Sequence, residues 1–85
     1  MIFVILSRWR GKPTKENIEK SNKVIASESK VKVLAFYWTL GRYDSVLIVE
    51  APNEKTVMKM LLQVGGYVAT ETMVATLREE AIKLL

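Results

Sequence analysis

The stretch VKVLAFYWTLGRYDSVLIVEAP, residues 31–52, constrains the fold of this chain more than any other. Two runs rich in β-branched and aromatic residues, 31–40 and 43–51, flank the dipeptide Gly41-Arg42. Such runs predict strands. A two-residue gap led by glycine suits a type II′ turn, whose first central position needs a positive φ. An antiparallel hairpin follows, with Thr39 opposite Asp44 and Leu40 opposite Tyr43. Alternation of side chains along a strand places Leu34, Phe36, Trp38 and Leu40 on one face, and Val33, Ala35, Tyr37 and Thr39 on the other. The same rule sends Tyr43 and Asp44 to opposite faces and sets Asp44 beside Tyr37 and Thr39.

Residues 2–9, IFVILSRW, predict a strand that is apolar on both faces as far as Leu6, closed by Gly11 and Pro13. A helix is expected over 14–29, with a thin stripe of Ile18, Ile25 and Ala26, Ser21 and Asn22 on the same face, and Val24 to one side. Pro52 ends the third strand and Asn53 is a natural N-cap. The second helix, 54–64, repeats Val57, Met60, Leu61 and Val64 at helical spacing, and Gly65-Gly66 stops it. Residues 67–76, YVATETMVAT, alternate as a fourth strand. Thr76 and Glu79 have the spacing of a capping box before a short C-terminal helix that offers Leu77, Ala81, Leu84 and Leu85 for packing.

This order, β-α-β-β-α-β, predicts a ferredoxin-like α+β fold in residues 1–85, read as a single domain. Right-handed crossovers put both helices on one face of a four-stranded antiparallel sheet. The other face is left bare, yet the strands are apolar on both sides: Phe3 and Ile5 against Val4 and Leu6, Leu47 and Val49 against Val46 and Ile48. A monomer of this kind exposes a large apolar patch. A homodimer by sheet-on-sheet packing, or a higher assembly, is expected.

Composition removes several chemistries. The 85 residues contain neither cysteine nor histidine, so disulfides, thiolate metal sites, zinc hydrolysis, Ser-His catalysis and His-ligated haem are excluded within one chain. No cofactor and no metal is expected. No apolar run approaches the roughly 20 residues of a membrane span. MIFVIL is too short for a signal segment and lacks a basic flank, so a cytoplasmic location is expected. Residues 1–42 hold nine Lys/Arg against three Glu, and residues 43–85 four Lys/Arg against six Asp/Glu. A basic half suits anion or nucleic-acid binding. Lys15, Lys20, Lys23 and Lys30, however, read as the solvated side of the first helix. Arg8-Trp9-Arg10 is a lone basic-aromatic triplet, and no nucleic-acid motif accompanies it. Asn17, Asn22, Asn53 and Gln63 are the only amide side chains, a scarcity that fits a thermophilic source.

YWTLGRYDSVLIVEAP, together with GYVATETMVAT downstream, resembles the GYD domain family of the dimeric α/β-barrel superfamily. The resemblance spans nearly the whole chain: a first strand ending near Trp9, the Gly41-to-Asp44 hairpin, Glu50-Ala51-Pro52, and Thr70-Glu71-Thr72 in the last strand. Asn53 stands where the family usually has an acid, a change confined to a helix cap. The resemblance implies fold and self-association and brings no established activity. A looser similarity joins the chain to the effector-binding domain of leucine-responsive-type regulators, which bind amino acids between subunits. With no helix-turn-helix in this sequence, that similarity implies a stand-alone version.

Six residues are candidate ligand contacts: Tyr37, Thr39, Arg42, Tyr43, Asp44 and Glu71. Each also has a plain structural role. Asp44 can accept backbone N–H groups near the turn or pair with Arg42, or it can anchor an ammonium or hydroxyl beside Thr39 and Tyr37. Arg42 is solvated or clamps a carboxylate or phosphate. Tyr43 is a half-buried ring with a wet hydroxyl, or a pocket donor. Glu71 faces solvent, or shares the inter-sheet space with Asp44 and binds a cation or a proton. Met58, Met60 and Met73 read as core filler.

Three functions remain open. The first is a small-metabolite-binding module with its site at the subunit interface, Asp44 meeting a cationic group and Arg42 an anionic one. The second is a cofactor-independent isomerase or oxygenase of the kind found in that superfamily, with Tyr37, Tyr43, Asp44 or Glu71 as acid and base. The third is a purely structural assembly module.

Overall fold

Phe3, Ile5, Leu47, Val49, Ala51, Val57 and Met60 form one buried cluster, and no member is more than 4% exposed. The alternation of the strands and the helical stripe around Met60 therefore converge on a single core. The computed structural model describes residues 1–85. Its elements are β1 (Ile2–Trp9), α1 (Lys15–Ser27), β2 (Lys32–Trp38), β3 (Ser45–Glu50), α2 (Glu54–Leu62), β4 (Val68–Ala75) and α3 (Arg78–Ile82). The strands form one sheet in the order β2-β3-β1-β4, antiparallel at every junction. Alternate residues of β1 and β3 (Phe3, Ile5, Ser7, Ser45, Leu47 and Val49) point to the side where α2 lies and are all buried. Val24 and Ile25 of α1 pack against the same cluster, so both long helices cover one face.

The helix caps follow local chemistry. Thr14 accepts from the Asn17 amide at 3.1 Å, and Asn53 accepts from the Thr56 amide at 2.9 Å. These bonds satisfy donors that a helix start leaves unpaired. The expected Thr76–Glu79 box does not form. Leu77 holds the cap position of α3 without a side-chain bond, because the helix begins one residue later than the spacing implies. The leucines of this segment do not pack within the chain: Leu77 is 58% exposed, Leu84 85% and Leu85 106%. In α1, Val24 joins the core while Ala26 is exposed.

The central hairpin is looser than its sequence suggests. β2 ends at Trp38 and β3 starts at Ser45, so the connection runs over residues 39–44 and not over Gly41-Arg42 alone. Thr39 does face Asp44, its amide donating to the Asp44 carbonyl at 2.9 Å. No ladder bond joins Leu40 to Tyr43. The Thr39 hydroxyl donates to the Tyr43 carbonyl at 2.7 Å instead, a side-chain bond that replaces the last rung and widens the loop. Gly41 has φ of 111°, the positive value that its position demands. A second departure lies in β2. Val33 pairs with Val49 but Ala35 with Ile48, so the strand bulges at Leu34 and Val33 joins Phe36 and Trp38 on the helix side.

The second face of the sheet carries Val4 and Leu6 of β1, Val46 and Ile48 of β3, Tyr37 of β2, and Glu71 and Met73 of β4. No helix covers it. The chain exposes 6273 Å², against about 5,100 Å² for a folded monomer of its mass. Its principal extents of 45 × 30 × 17 Å describe a slab.

Candidate functional site

The polar residues of the 39–44 loop gather at one end of the bare face. β1 continues to Trp9 after β3 has ended, so the Trp9 amide on that edge has lost its ladder partner. The Asp44 carboxylate takes the partner's place, Oδ2 accepting from the Trp9 amide at 2.8 Å, while the Asp44 amide donates to the Ser7 carbonyl at 2.7 Å. One residue thus extends the β1–β3 ladder with its backbone and then with its side chain. No ion pair links Asp44 to Arg42; the chain's two ion pairs are Lys20–Glu16 and Lys83–Glu80.

Tyr43 departs from expectation. Strand alternation would send it away from Asp44, but neither residue belongs to β3, and the loop is free to turn the ring. Its hydroxyl donates to Glu71 Oε2 at 2.7 Å. Glu71 pairs with Leu6 in the β1–β4 register, which places it on the bare face. Tyr43 therefore spans β1 on that face. The Arg42 guanidinium stands 5.7 Å from the centre of the Tyr43 ring, within cation–π range. The bond to Glu71, followed by desolvation and the Glu71 charge, raises the Tyr43 pKa above 10.0, and Arg42 and Arg8 offset part of this. A phenol that holds its proton this firmly is a hydrogen-bond donor at neutral pH and a poor general base.

Of the six candidates, the structure joins Thr39 to Tyr43, Tyr43 to Glu71 and Arg42 to the Tyr43 ring. Tyr37 lies on the same face opposite Val46 and is 61% exposed. Asp44 is engaged by Trp9 and makes no hydrogen bond to Glu71.

A concavity lies on the covered side and contains none of these six residues. It is a cleft of about 150 Å³ between α1 and the sheet. Ser7 and Ser45 lie opposite each other on its floor, 8% and 5% exposed. Ser21 and Tyr67 join hydroxyls at 3.1 Å along one wall. Trp9 and Trp38 meet edge to face with centroids 5.0 Å apart, and both line the cleft. Arg10 sits at its rim, with Nε bound to the Gly65 carbonyl at 2.9 Å. The sequence pattern singled out Trp9 and Arg10 as part of a basic-aromatic triplet and passed over Ser7 and Ser45. The available signal was a serine at an inward position of each central strand, ending the series Phe3, Ile5, Ser7 and opening the series Ser45, Leu47, Val49.

Four antiparallel strands with two long helices on one face, the other face open and edged by a hydroxyl–carboxylate cluster, define a ferredoxin-like α+β protein. The chain belongs to the GYD family: the model of the GYD domain matches residues 8–85. A search of curated proteins gives no match. Among solved structures, FFRP-DM1 is similar at 23% identity and TM-score 0.61, covering 88% of this chain and 97% of its own. An AsnC family transcriptional regulator from Agrobacterium tumefaciens is similar at 16% identity and TM-score 0.56. The match covers 91% of this chain and 52% of the regulator, so the present chain spans about half of that protein's length. The hypothetical protein PHS023 from Pyrococcus horikoshii is similar at 19% identity and TM-score 0.52, over 91% of this chain and 94% of its own. At these identities the likeness concerns the fold. No helix of the chain is long and apolar enough to cross a membrane.

Proposed function

We propose that two copies of this chain pack their bare sheet faces together as a dimeric α/β barrel and bind a small polar metabolite at the edge of that interface. The observation that carries this reading is the Tyr43–Glu71 pair, set beside an uncovered apolar sheet face. The surface in excess of a typical monomer, about 1,100 Å², is of the order that each partner buries in a stable complex. Closing that face would bring the polar cluster of one copy against the partner and shield it from bulk water, where charge-assisted hydrogen bonds are stronger.

The cluster suits a metabolite that carries both an amino and a carboxylate group. Glu71 and the free Oδ1 of Asp44 would receive the ammonium, Arg42 the carboxylate, and Tyr43, with its retained proton, would donate. Tyr37 and Thr39 flank the same edge. The similarity of fold to the AsnC family regulator is consistent with a ligand-responsive module.

A thermal-shift screen against amino acids, run beside light scattering, tests both parts. A ligand at 100 times its Kd adds about 2.7 kcal/mol to stability, a plain upward shift in Tm. Glu71→Gln should abolish that shift while leaving the dimer. No shift with any amino acid sinks the ligand reading, and a monomer at micromolar concentration sinks the assembly.

A further inference from the structure

We infer that the cleft beneath α1 is a second ligand site, separate from the interface cluster, and that it takes a small aromatic monocarboxylate. Three independent observations point there. The first is volume and lining. The space of about 150 Å³ matches a cavity able to hold one benzene-sized ring, and Ile5, Leu47, Phe36 and Ile18 are among its walls.

The second is the pair of floor hydroxyls. Ser7 and Ser45 are more than nine-tenths buried, yet neither side chain has a hydrogen-bond partner among the side-chain bonds of the chain. No buried side-chain polar atom of the chain is both sealed and unpaired, so these hydroxyls open into the cleft. A hydroxyl that the chain itself leaves unpaired is free to bond a guest. Two of them side by side on the floor of a largely apolar cleft form a receptor for a polar atom brought in from outside.

The third is charge. The lining includes Arg10 and Lys12 and no Asp or Glu. Arg10 is held in place by its bond to the Gly65 carbonyl, which leaves its terminal nitrogens available. A ring fits between α1 and the sheet, and a carboxylate is the group that both the cations at the rim and the serine hydroxyls satisfy. Trp9 and Trp38, the chain's two tryptophans, also line the cleft, in an edge-to-face contact that an aromatic guest would extend.

Because both tryptophans line the cleft, intrinsic fluorescence reports occupancy directly. Titration of the full chain with benzoate should give a saturable change, and benzyl alcohol, its neutral counterpart, should bind about tenfold more weakly, as expected for the loss of one charge-assisted bond. Ser45→Val fills the floor and should remove benzoate binding, with circular dichroism confirming the fold. Arg10→Gln, a change at an exposed residue, should equalise benzoate and benzyl alcohol. Glu71→Gln should leave benzoate binding unchanged, since Glu71 lies on the opposite face. Absence of a saturable signal, equal affinity of the native chain for the two compounds, or undiminished benzoate binding by a folded Ser45→Val chain would overturn the assignment.

Discussion

The Tyr43 hydroxyl reaches across β1 to Glu71 and donates to it at 2.7 Å, joining the central hairpin loop to the edge strand β4 over the bare face of the sheet. This bond makes the tyrosine's ionisation part of the fold. The folded state holds the Tyr43 proton more tightly than the unfolded chain, because the bond to Glu71, desolvation and the Glu71 charge all raise its pKa above 10.0. The stabilisation is fully present below the unfolded tyrosine pKa. It is lost as pH rises from there through the raised folded value. Stability measured in urea as a function of pH should therefore fall in alkali for the native chain, with a shallower fall for Glu71→Gln. Difference absorbance of tyrosinate should place the Tyr43 titration of Glu71→Gln nearer to 10.0. Coincident titrations of the two chains would contradict the pairing.

Asp44 serves β1 more than it serves its own loop. Its Oδ2 is the acceptor for the Trp9 amide, and Asp44→Ala leaves that half-buried donor without a partner. The cost should be about 1.5–3 kcal/mol, the range for a hydrogen bond to a charged group. Asp44→Asn keeps an acceptor and should lose less. Amide hydrogen exchange discriminates a local from a general effect: the Trp9 amide should lose protection in Asp44→Ala well before the amides of Phe3 and Ile5. Equal protection at Trp9 in the native and Asp44→Ala chains would remove Asp44 from this role.

Gly41 tests backbone conformation apart from packing. Its φ is 111°, and a Cβ placed there would meet nothing within 4 Å. Gly41→Ala should therefore cost only the strain of a side chain in a region that L-residues avoid, about 1–2 kcal/mol. Chemical denaturation gives the number. A neutral or stabilising substitution would mean that the loop relaxes to a negative φ.

What the sequence made legible was set by period. The alternating runs and the Val57-Met60-Leu61-Val64 stripe defined the elements and the fold, because a pattern repeated over eight residues outweighs local irregularity. The end of the hairpin was not legible. Thr39 spends its hydroxyl on the Tyr43 carbonyl, and such competition between side chain and backbone leaves no periodic trace. The bulge at Leu34 was hidden for the same reason, since Val33, Leu34 and Ala35 are all apolar and one extra residue alters no pattern of polarity. The contacts that join Thr39, Arg42, Tyr43 and Glu71 were not legible either. The reach of Tyr43 to Glu71 spans 28 positions of sequence and depends on β4 lying next to β1. The cleft is a matter of how high α1 stands above Ser7 and Ser45, a tertiary distance on which alternation is silent.

The two cap positions separate a real signature from a coincidental one. Asn53 receives bonds from both the amide and the hydroxyl of Thr56, at 2.9 and 3.0 Å, so Asn53→Ala should cost about 1 kcal/mol. Thr76 has the right spacing to Glu79 but makes no cap bond, and Thr76→Ala should change stability by less than about 0.5 kcal/mol, as for an ordinary surface site. Thermal melts of the two variants side by side check the contrast. An equal loss in both would mean that Thr76 does cap α3 in solution.

The proposed self-association makes the sharpest demand on the bare face. Ile48 sits at its centre, between Val4 on β1 and Ala35 on β2, and it is half-buried in the isolated chain. In a sheet-on-sheet dimer it would be fully enclosed and, because a two-fold interface uses the same patch on both copies, would be represented twice. Ile48→Lys then buries two like charges in apolar surroundings, a cost that association cannot offset. Within one chain the same lysine lies on an uncovered face, where its long stem can carry the ammonium out to water. The variant should keep the native circular dichroism spectrum and sediment as a monomer at concentrations where the native chain sediments as a dimer. Leu62→Lys, at a position 76% exposed on α2 and on the covered side, should leave the dimer intact. Dissociation by Leu62→Lys with a persistent dimer in Ile48→Lys would assign the interface to the helices and refute pairing through the sheet.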